Sequence, residues 1–111
     1  MILRGEIYSV DLGSPVGHEP SSSRPGLVVS ADLISNGPGG LVAIVPITST
    51  NFGLRSHIEL ETGVTGLDHS SFARCDQLRM ISVIRITRRL GFAPLEQMSA
   101  IDQALRFVLD L

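Results

Sequence analysis

Lysine and tryptophan are both absent from the 111-residue chain, and cysteine and tyrosine each occur once. Cys75, as the lone cysteine, has no partner for an intramolecular disulfide, which argues against a stapled secreted scaffold and for a reducing, cytoplasmic setting. The aromatic set is only Tyr8 and four phenylalanines, too thin to suggest an aromatic groove for proline-rich peptides. Long apolar runs are missing as well. The longest beyond the start is residues 41–45, far short of a membrane span, and residues 1–6 lack the core of a signal peptide. There is no basic excess either: eleven acidic residues stand against nine basic ones, so a net charge of −2 provides no overall attraction to nucleic acid or anionic lipid, and any such site must be local.

What is present is enough hydrophobic material, 43% of residues with only 18% charged, to build a core. The length suits one domain over residues 1–111. All nine basic residues are arginine, a side chain that stays charged and makes planar, forked contacts. Five of them, Arg74, Arg79, Arg85, Arg88 and Arg89, fall within residues 74–89 against the single acid Asp76. That window carries a local charge of +4, the asymmetry expected of a face for phosphate or for an acidic partner.

Residues 5–11 alternate imperfectly and predict a half-buried strand, ended by Gly13 and Pro15. Residues 12–23 contain two glycines, two prolines and three successive serines, and at about 12 residues form a long connection of the kind that is usually functional or mobile. The β-branched runs at 26–30 and 41–45 read as central strands, with turn chemistry in Asn36-Gly37-Pro38-Gly39-Gly40 between them. Pro46 cannot donate to a ladder, so the second run should meet an edge or bulge there, leaving Ile47-Thr48-Ser49-Thr50 at a strand mouth. Residues 57–60, 70–73 and 85–90 complete a list of about six strands. Leu95, Met98, Ile101, Leu105 and Val108 then recur at helical spacing, with Pro94 suited to the first helical position. The expected fold is mainly β, a small and partly open antiparallel barrel with a C-terminal α-helix packed on it.

Each histidine neighbours a carboxylate (His18 with Glu19, His57 with Glu59, His69 with Asp68), but none has the dense spacing of a metal site, and neither metal nor cofactor is expected. Cys75 lacks a thiolate-activating setting and reads as a buried thiol. Gly37-Pro38-Gly39-Gly40 leads into a strand and not a helix, so it is a turn and not a phosphate loop. There remain Arg24, which Pro25 restricts to extended backbone, and Thr48, both expected at strand edges.

The order of short motifs resembles the MazF/PemK family of toxin endoribonucleases across essentially the whole chain. The similarity rests on Arg4-Gly5-Glu6-Ile7-Tyr8, Gly17-His18-Glu19, Arg24-Pro25-Gly26-Leu27-Val28-Val29-Ser30, Val45-Pro46-Ile47-Thr48-Ser49, Cys75-Asp76-Gln77-Leu78-Arg79, and Arg89-Leu90-Gly91 before a helix. The resemblance implies an SH3-like barrel, a homodimer, metal-independent cleavage of RNA, and inhibition by an acidic, MazE-like antitoxin. It maps catalytic positions onto Arg24, Thr48 and Glu19, and substrate-binding positions onto His18, Ser49, Asp76, Gln77 and Arg79. Pro20 and the run Ser21-Ser22-Ser23 depart from the family pattern, which bears on loop contacts and base preference.

Metal-free cleavage of RNA needs the 2′-OH to attack phosphorus while fixed donors meet the charge that builds on the non-bridging oxygens. The guanidinium of Arg24 and the hydroxyl of Thr48 are donors of the required kind. An always-charged arginine is suited to that clamp and to protonating the leaving 5′ oxygen, whereas Glu19 or His18 is suited to act as the base. Two rivals share the fold class. A gyrase-binding toxin of the CcdB type would need a C-terminal Trp-Gly-Ile, but this chain ends Leu109-Asp110-Leu111. The other is a catalytically silent SH3-like binding module, for which the aromatic residues are few.

Overall fold

The structure, a computed structural model, describes residues 1–12 and 23–111. Seven strands and two α-helices occur among them: β1 (Glu6–Asp11), β2 (Ser23–Val28), α1 (Asp32–Ser35), β3 (Leu41–Thr48), β4 (His57–Leu60), β5 (Ser71–Arg74), β6 (Arg79–Ser82), β7 (Ile86–Phe92) and α2 (Leu95–Leu109). All pairings are antiparallel, in the order β4-β5-β3-β2-β1-β7, with β6 also paired to β3. The architecture is mainly β with one long C-terminal helix, as the sequence led one to expect. No helix among the described residues is long and apolar enough to cross a membrane.

The two β-branched runs lie at the centre of the sheet, and alternation along them buries both faces. One face carries Ile7, Leu27, Ala43, Val45 and Ile47, which pack with Met98, Ile101 and Ala104 of α2. On the other, Tyr8, Val10, Val28, Val42, Ile44 and Ile81 form a second cluster. At roughly 1.5–3 kcal/mol per large side chain removed from water, these two clusters fix the register of β1, β2 and β3, because a one-residue slip would exchange their faces.

Several expectations are corrected. A seventh strand, β6, was missing from the list of about six; it is four residues long and only Ile81 on it is buried, too short a signal for periodicity. The second strand starts at Ser23, not Gly26, because its first residues pair with β1 alone. Helix α1 is a single turn that hydropathy does not mark, and Asn36 behind it is tied to the N-terminus by the side-chain amide's bonds with Ile2 N and O, at 2.8 and 2.6 Å. Pro94 is the N-cap of α2 and Leu95 its first residue. Leu95 is 87% exposed and does not belong to the buried stripe. At about 100° per residue it lies about 120° around the helix from Ile101.

Pro46 sits in neither an edge strand nor a bulge. On one side of β3, β6 pairs with Leu41 to Ile44 and β5 takes over at Ile47, so Pro46 stands at the handover where no ladder donor is required. Residues 63–66 are laid over β7 by a bond from Phe92 N to Val64 O of 3.0 Å. Gly66, at φ +73°, permits this approach, since a Cβ there would overlap the Leu90 carbonyl.

The start of β1 is locked to β7 by a nearly buried carboxylate. Glu6 accepts hydrogen bonds from Arg89 Nε at 2.5 Å, Leu3 N at 2.6 Å and the Tyr8 hydroxyl at 2.9 Å. Burial, the largest single influence, pushes its pKa up, but the bonds from Arg89, Leu3 and Tyr8 together outweigh it and hold the carboxyl below the ordinary glutamate value. A depressed native pKa adds stability that is present above the unfolded value, about 4.3, and is lost as pH falls through the native one. Glu6→Gln should therefore cost about 1–2 kcal/mol at neutral pH, the scale of one charge-assisted hydrogen bond to a half-exposed arginine. In denaturant titrations at a series of pH values, the wild-type and Glu6→Gln curves should converge below about pH 4.3. A constant gap down to acid pH would show that the Glu6 charge is not the source of the difference.

Candidate active site

A cleft of about 800 Å³ opens where the start of β2, the end of β3, β5 and β7 come together. Its origin is a gap in the hydrogen-bond ladder. The β2–β3 pairing runs from Val28↔Ile44 to Gly26↔Pro46 and stops. Beyond that point β2 continues with β1 alone, and β3 turns to β5 through Ile47↔Ala73 and Thr48↔Phe72. Pro25 and Pro46, neither with an N–H to donate, both line the opening.

Arg24 and Thr48 are the residues that the stopped register would have placed opposite each other, and both line the cleft. Arg24 is exposed, and its Nη1 donates to the Ser23 carbonyl at 3.3 Å. The Thr48 hydroxyl oxygen accepts from Thr50 N at 3.2 Å. With an oxygen lone pair engaged by the backbone, the hydroxyl proton is left to donate elsewhere.

The other expected site residues are divided. Ser49 lines the cleft. Glu19 and His18 lie outside the described residues. Asp76 and Gln77 occupy a 3₁₀ turn, Cys75–Gln77, and Arg79 lies on β6; none of the three lines the cleft. Asp76 instead holds His57, Oδ1 to Nε2 at 3.0 Å, with the histidine side chain 2% exposed. Cys75 is fully buried, and its thiol is pushed up to about 11 by burial and by the neighbouring Asp76 charge, so it is no nucleophile at neutral pH.

Three residues that the sequence does not single out as site residues also line the cleft: Arg74, Arg88 and His69. The two arginines belong to the cationic window at 74–89, a signal that pointed to the region without distinguishing the lining residues from Arg79 and Arg85. His69 is marked in the sequence only by its neighbour Asp68, which also lines the cleft. Among the described residues, Arg24, Arg74 and Arg88 face one lining carboxylate, Asp68, so this lining is cationic on a chain of net −2. That contrast favours an anionic ligand. Among the described residues, no three His, Cys, Asp or Glu side chains gather to hold a metal ion.

The chain is similar to known proteins over nearly its whole length. Residues 3–109 match the family described as PemK-like, MazF-like toxin of type II toxin-antitoxin system. The chain is 33% identical to endoribonuclease MazF9 of Mycobacterium tuberculosis, the match covering 100% of this chain and 98% of that one. It is 30% identical to endoribonuclease EndoA of Bacillus subtilis, over 100% and 97% of the two chains. Among solved structures, a mycobacterial endoribonuclease in complex with its cognate antitoxin superimposes with a TM-score of 0.82 at 23% identity, covering 100% of this chain and 97% of that one. By sequence over nearly its whole length and by fold, the chain belongs to the PemK/MazF family of toxins of type II toxin–antitoxin systems.

Proposed function

We propose that this chain is an endoribonuclease toxin that cleaves RNA without a metal ion, using the 2′-OH next to the scissile bond as nucleophile. The observation that carries the reading is the placement of Arg24 and Thr48 on one cationic cleft at the gap between β2 and β3. In the proposed step the 2′ oxygen bonds to phosphorus, the bond from phosphorus to the 5′ oxygen breaks, and the products are a 2′,3′-cyclic phosphate and a 5′-hydroxyl. A base takes the 2′ proton, and an acid supplies one to the departing oxygen. Arg24 clamps the charge on the non-bridging oxygens and protonates the leaving group; Thr48 donates a further hydrogen bond to the phosphorane. Glu19 or His18 serves as base. His69, which lines the cleft, is the rival imidazole for that role.

The same cationic face supports the partner reading. An acidic antitoxin segment along the groove that includes the 74–89 face would meet the charge that RNA phosphates meet, and the toxin would act as a homodimer. Antitoxin and RNA should then compete. Simultaneous binding of both, with RNA affinity unchanged, would separate the two surfaces.

Cleavage should persist in EDTA and yield 2′,3′-cyclic phosphate and 5′-hydroxyl ends. An RNA with 2′-deoxy at the scissile nucleotide should bind and resist cleavage. End analysis of the products decides this, and a strict requirement for a divalent ion would overturn the mechanism.

Arg24→Ala should lower the single-turnover rate at saturating RNA by about 10²-fold or more, the scale of losing one preorganised donor to developing charge. Arg24→Lys should not restore the full rate, because a point ammonium lacks the guanidinium fork. Thr48→Val keeps the β-branched shape and removes the hydroxyl, so its rate should fall with the fold intact and thermal unfolding lowered by no more than the loss of one exposed bond from Thr50 N. A near-wild-type rate for Arg24→Ala would return that residue to a binding or structural role.

A further inference from the structure

The chemistry assigned to Arg24 and Thr48 leaves Arg74 without a task. It ends β5, opposite His57 of β4, and it lines the cleft. Its Nε is buried and has no hydrogen-bond acceptor, and no carboxylate pairs with its charge, among the described residues. What positions it is an aromatic face: the guanidinium carbon lies 5.2 Å from the centroid of the Phe52 ring, within cation–π range. Phe52 in turn meets His57 edge-on, with centroids 5.7 Å apart and planes at 89°. His57 is the residue clamped by Asp76. A row of contacts therefore runs from Asp76 through His57 and Phe52 to Arg74, whose charge at the cleft end is unpaired by any described residue.

We propose that Arg74 is a second phosphate-binding residue of the cleft, gripping a phosphate of the substrate strand that flanks the scissile one. The assignment rests on the RNA-cleaving reading above. Arg24 belongs to β2 and Arg74 to β5, the strands that flank β3. Continued by register, Arg24 falls level with Thr48 on one side of β3 and Arg74 level with Pro46 on the other, so the two are offset both across and along the strand and serve different phosphates of a strand laid across the cleft. Seating on Phe52 limits the conformations of a long side chain before RNA arrives, which reduces the ordering cost of binding. Phe52, His57 and Asp76 are positioning residues in this arrangement, acting through Arg74 without touching substrate.

The test uses an RNA that the wild-type chain cleaves, made also with 2′-deoxy at the mapped scissile nucleotide so that binding is read without turnover. Arg74→Ala should weaken binding about 10-fold at low salt, the scale of one exposed charge-assisted contact. It should also reduce the slope of log affinity against log salt by about 0.7, one phosphate contact on a single strand. Its single-turnover rate at saturating RNA should stay within about three-fold of wild type, since saturation restores what binding lost. Arg74→Lys keeps the charge, so the wild-type slope should remain while affinity falls several-fold without the planar seat. Phe52→Leu should weaken binding at the wild-type slope. An unchanged slope in a folded Arg74→Ala chain overturns the phosphate assignment, as does a saturating rate reduced as far as in Arg24→Ala. Unchanged affinity in Phe52→Leu overturns the aromatic seat. A wild-type chain that binds no RNA brings down the functional reading and this assignment together, whereas RNA binding and cleavage with a silent Arg74 bring down this assignment alone.

Discussion

The cleft exists because the ladder between two central strands loses its next donor at Pro25 and stops. Between Gly26 and Val28, β2 is bonded to β3; beyond Gly26, the next residue on one strand is Pro25 and the last paired residue on the other is Pro46. Pro25 lacks the N–H that would carry the ladder on toward β3, so pairing β2 and β3 further would gain little. Pro46, whose nitrogen lies on the side of β3 opposite the Ala43 N that faces Ser30, lacks a donor on the other ladder, where β3 passes from β6 to β5 at Ile47. The strands part there, and Arg24 and Thr48 line the opening. Regular β-structure up to the point of divergence makes the two side chains' backbones rigid, the support that a catalytic pair requires.

The arginines divide their labour by their partners. Arg4 ties the N-terminal segment to α2 through Asp102 at 2.6 Å and to the β2–α1 connection through the Val29 carbonyl at 2.8 Å. Arg89 closes β1 against β7 on Glu6, and Arg55 lies 4.2 Å from the Phe107 centroid on α2. Forked hydrogen bonding and stacking on aromatic faces are contacts for which lysine is a poor substitute, so an all-arginine chain is consistent with these uses. Arg24, Arg74 and Arg88 have no carboxylate within ion-pairing distance among the described residues. That separation concentrates positive potential in the cleft while the whole chain stays slightly acidic.

Much of this was legible in the sequence because it depends on periodicity or on backbone chemistry. The β-branched runs at 26–30 and 41–45 announced the central strands, and the spacing of Met98, Ile101 and Leu105 announced α2. The restriction that Pro25 places on Arg24 and the missing donor of Pro46 marked both cleft-lining strands before any contact was known. What was not legible depends on three-dimensional neighbours. Asp76 and Gln77 look like site residues by motif, yet their 3₁₀ turn stands off the lining, and Asp76 meets a histidine 19 residues earlier in the chain. Arg74 and Arg79 are indistinguishable as members of a charged window. Only strand pairing separates them: β5 continues the end of β3 toward the cleft, and β6 pairs with its beginning.

Exposure at Arg24 bears on how the proposed reaction is driven. A guanidinium in open water is screened, and at an effective dielectric near that of the solvent its pull on a phosphate a few ångströms away is about 1 kcal/mol, far from enough to account for a large rate increase. Its strength has to come from what covers it. RNA lying across the end of β3 would displace water from the cleft and lower the local dielectric, so the same charge at the same distance would act several times more strongly. On this reading, Arg24 is a strong catalyst only while the strand is seated. What sets the rate is then whether the strand covers Arg24: a truncated RNA that leaves the cleft open would react slowly even when bound, whereas a full strand seated without one flanking contact keeps its cover and loses affinity instead.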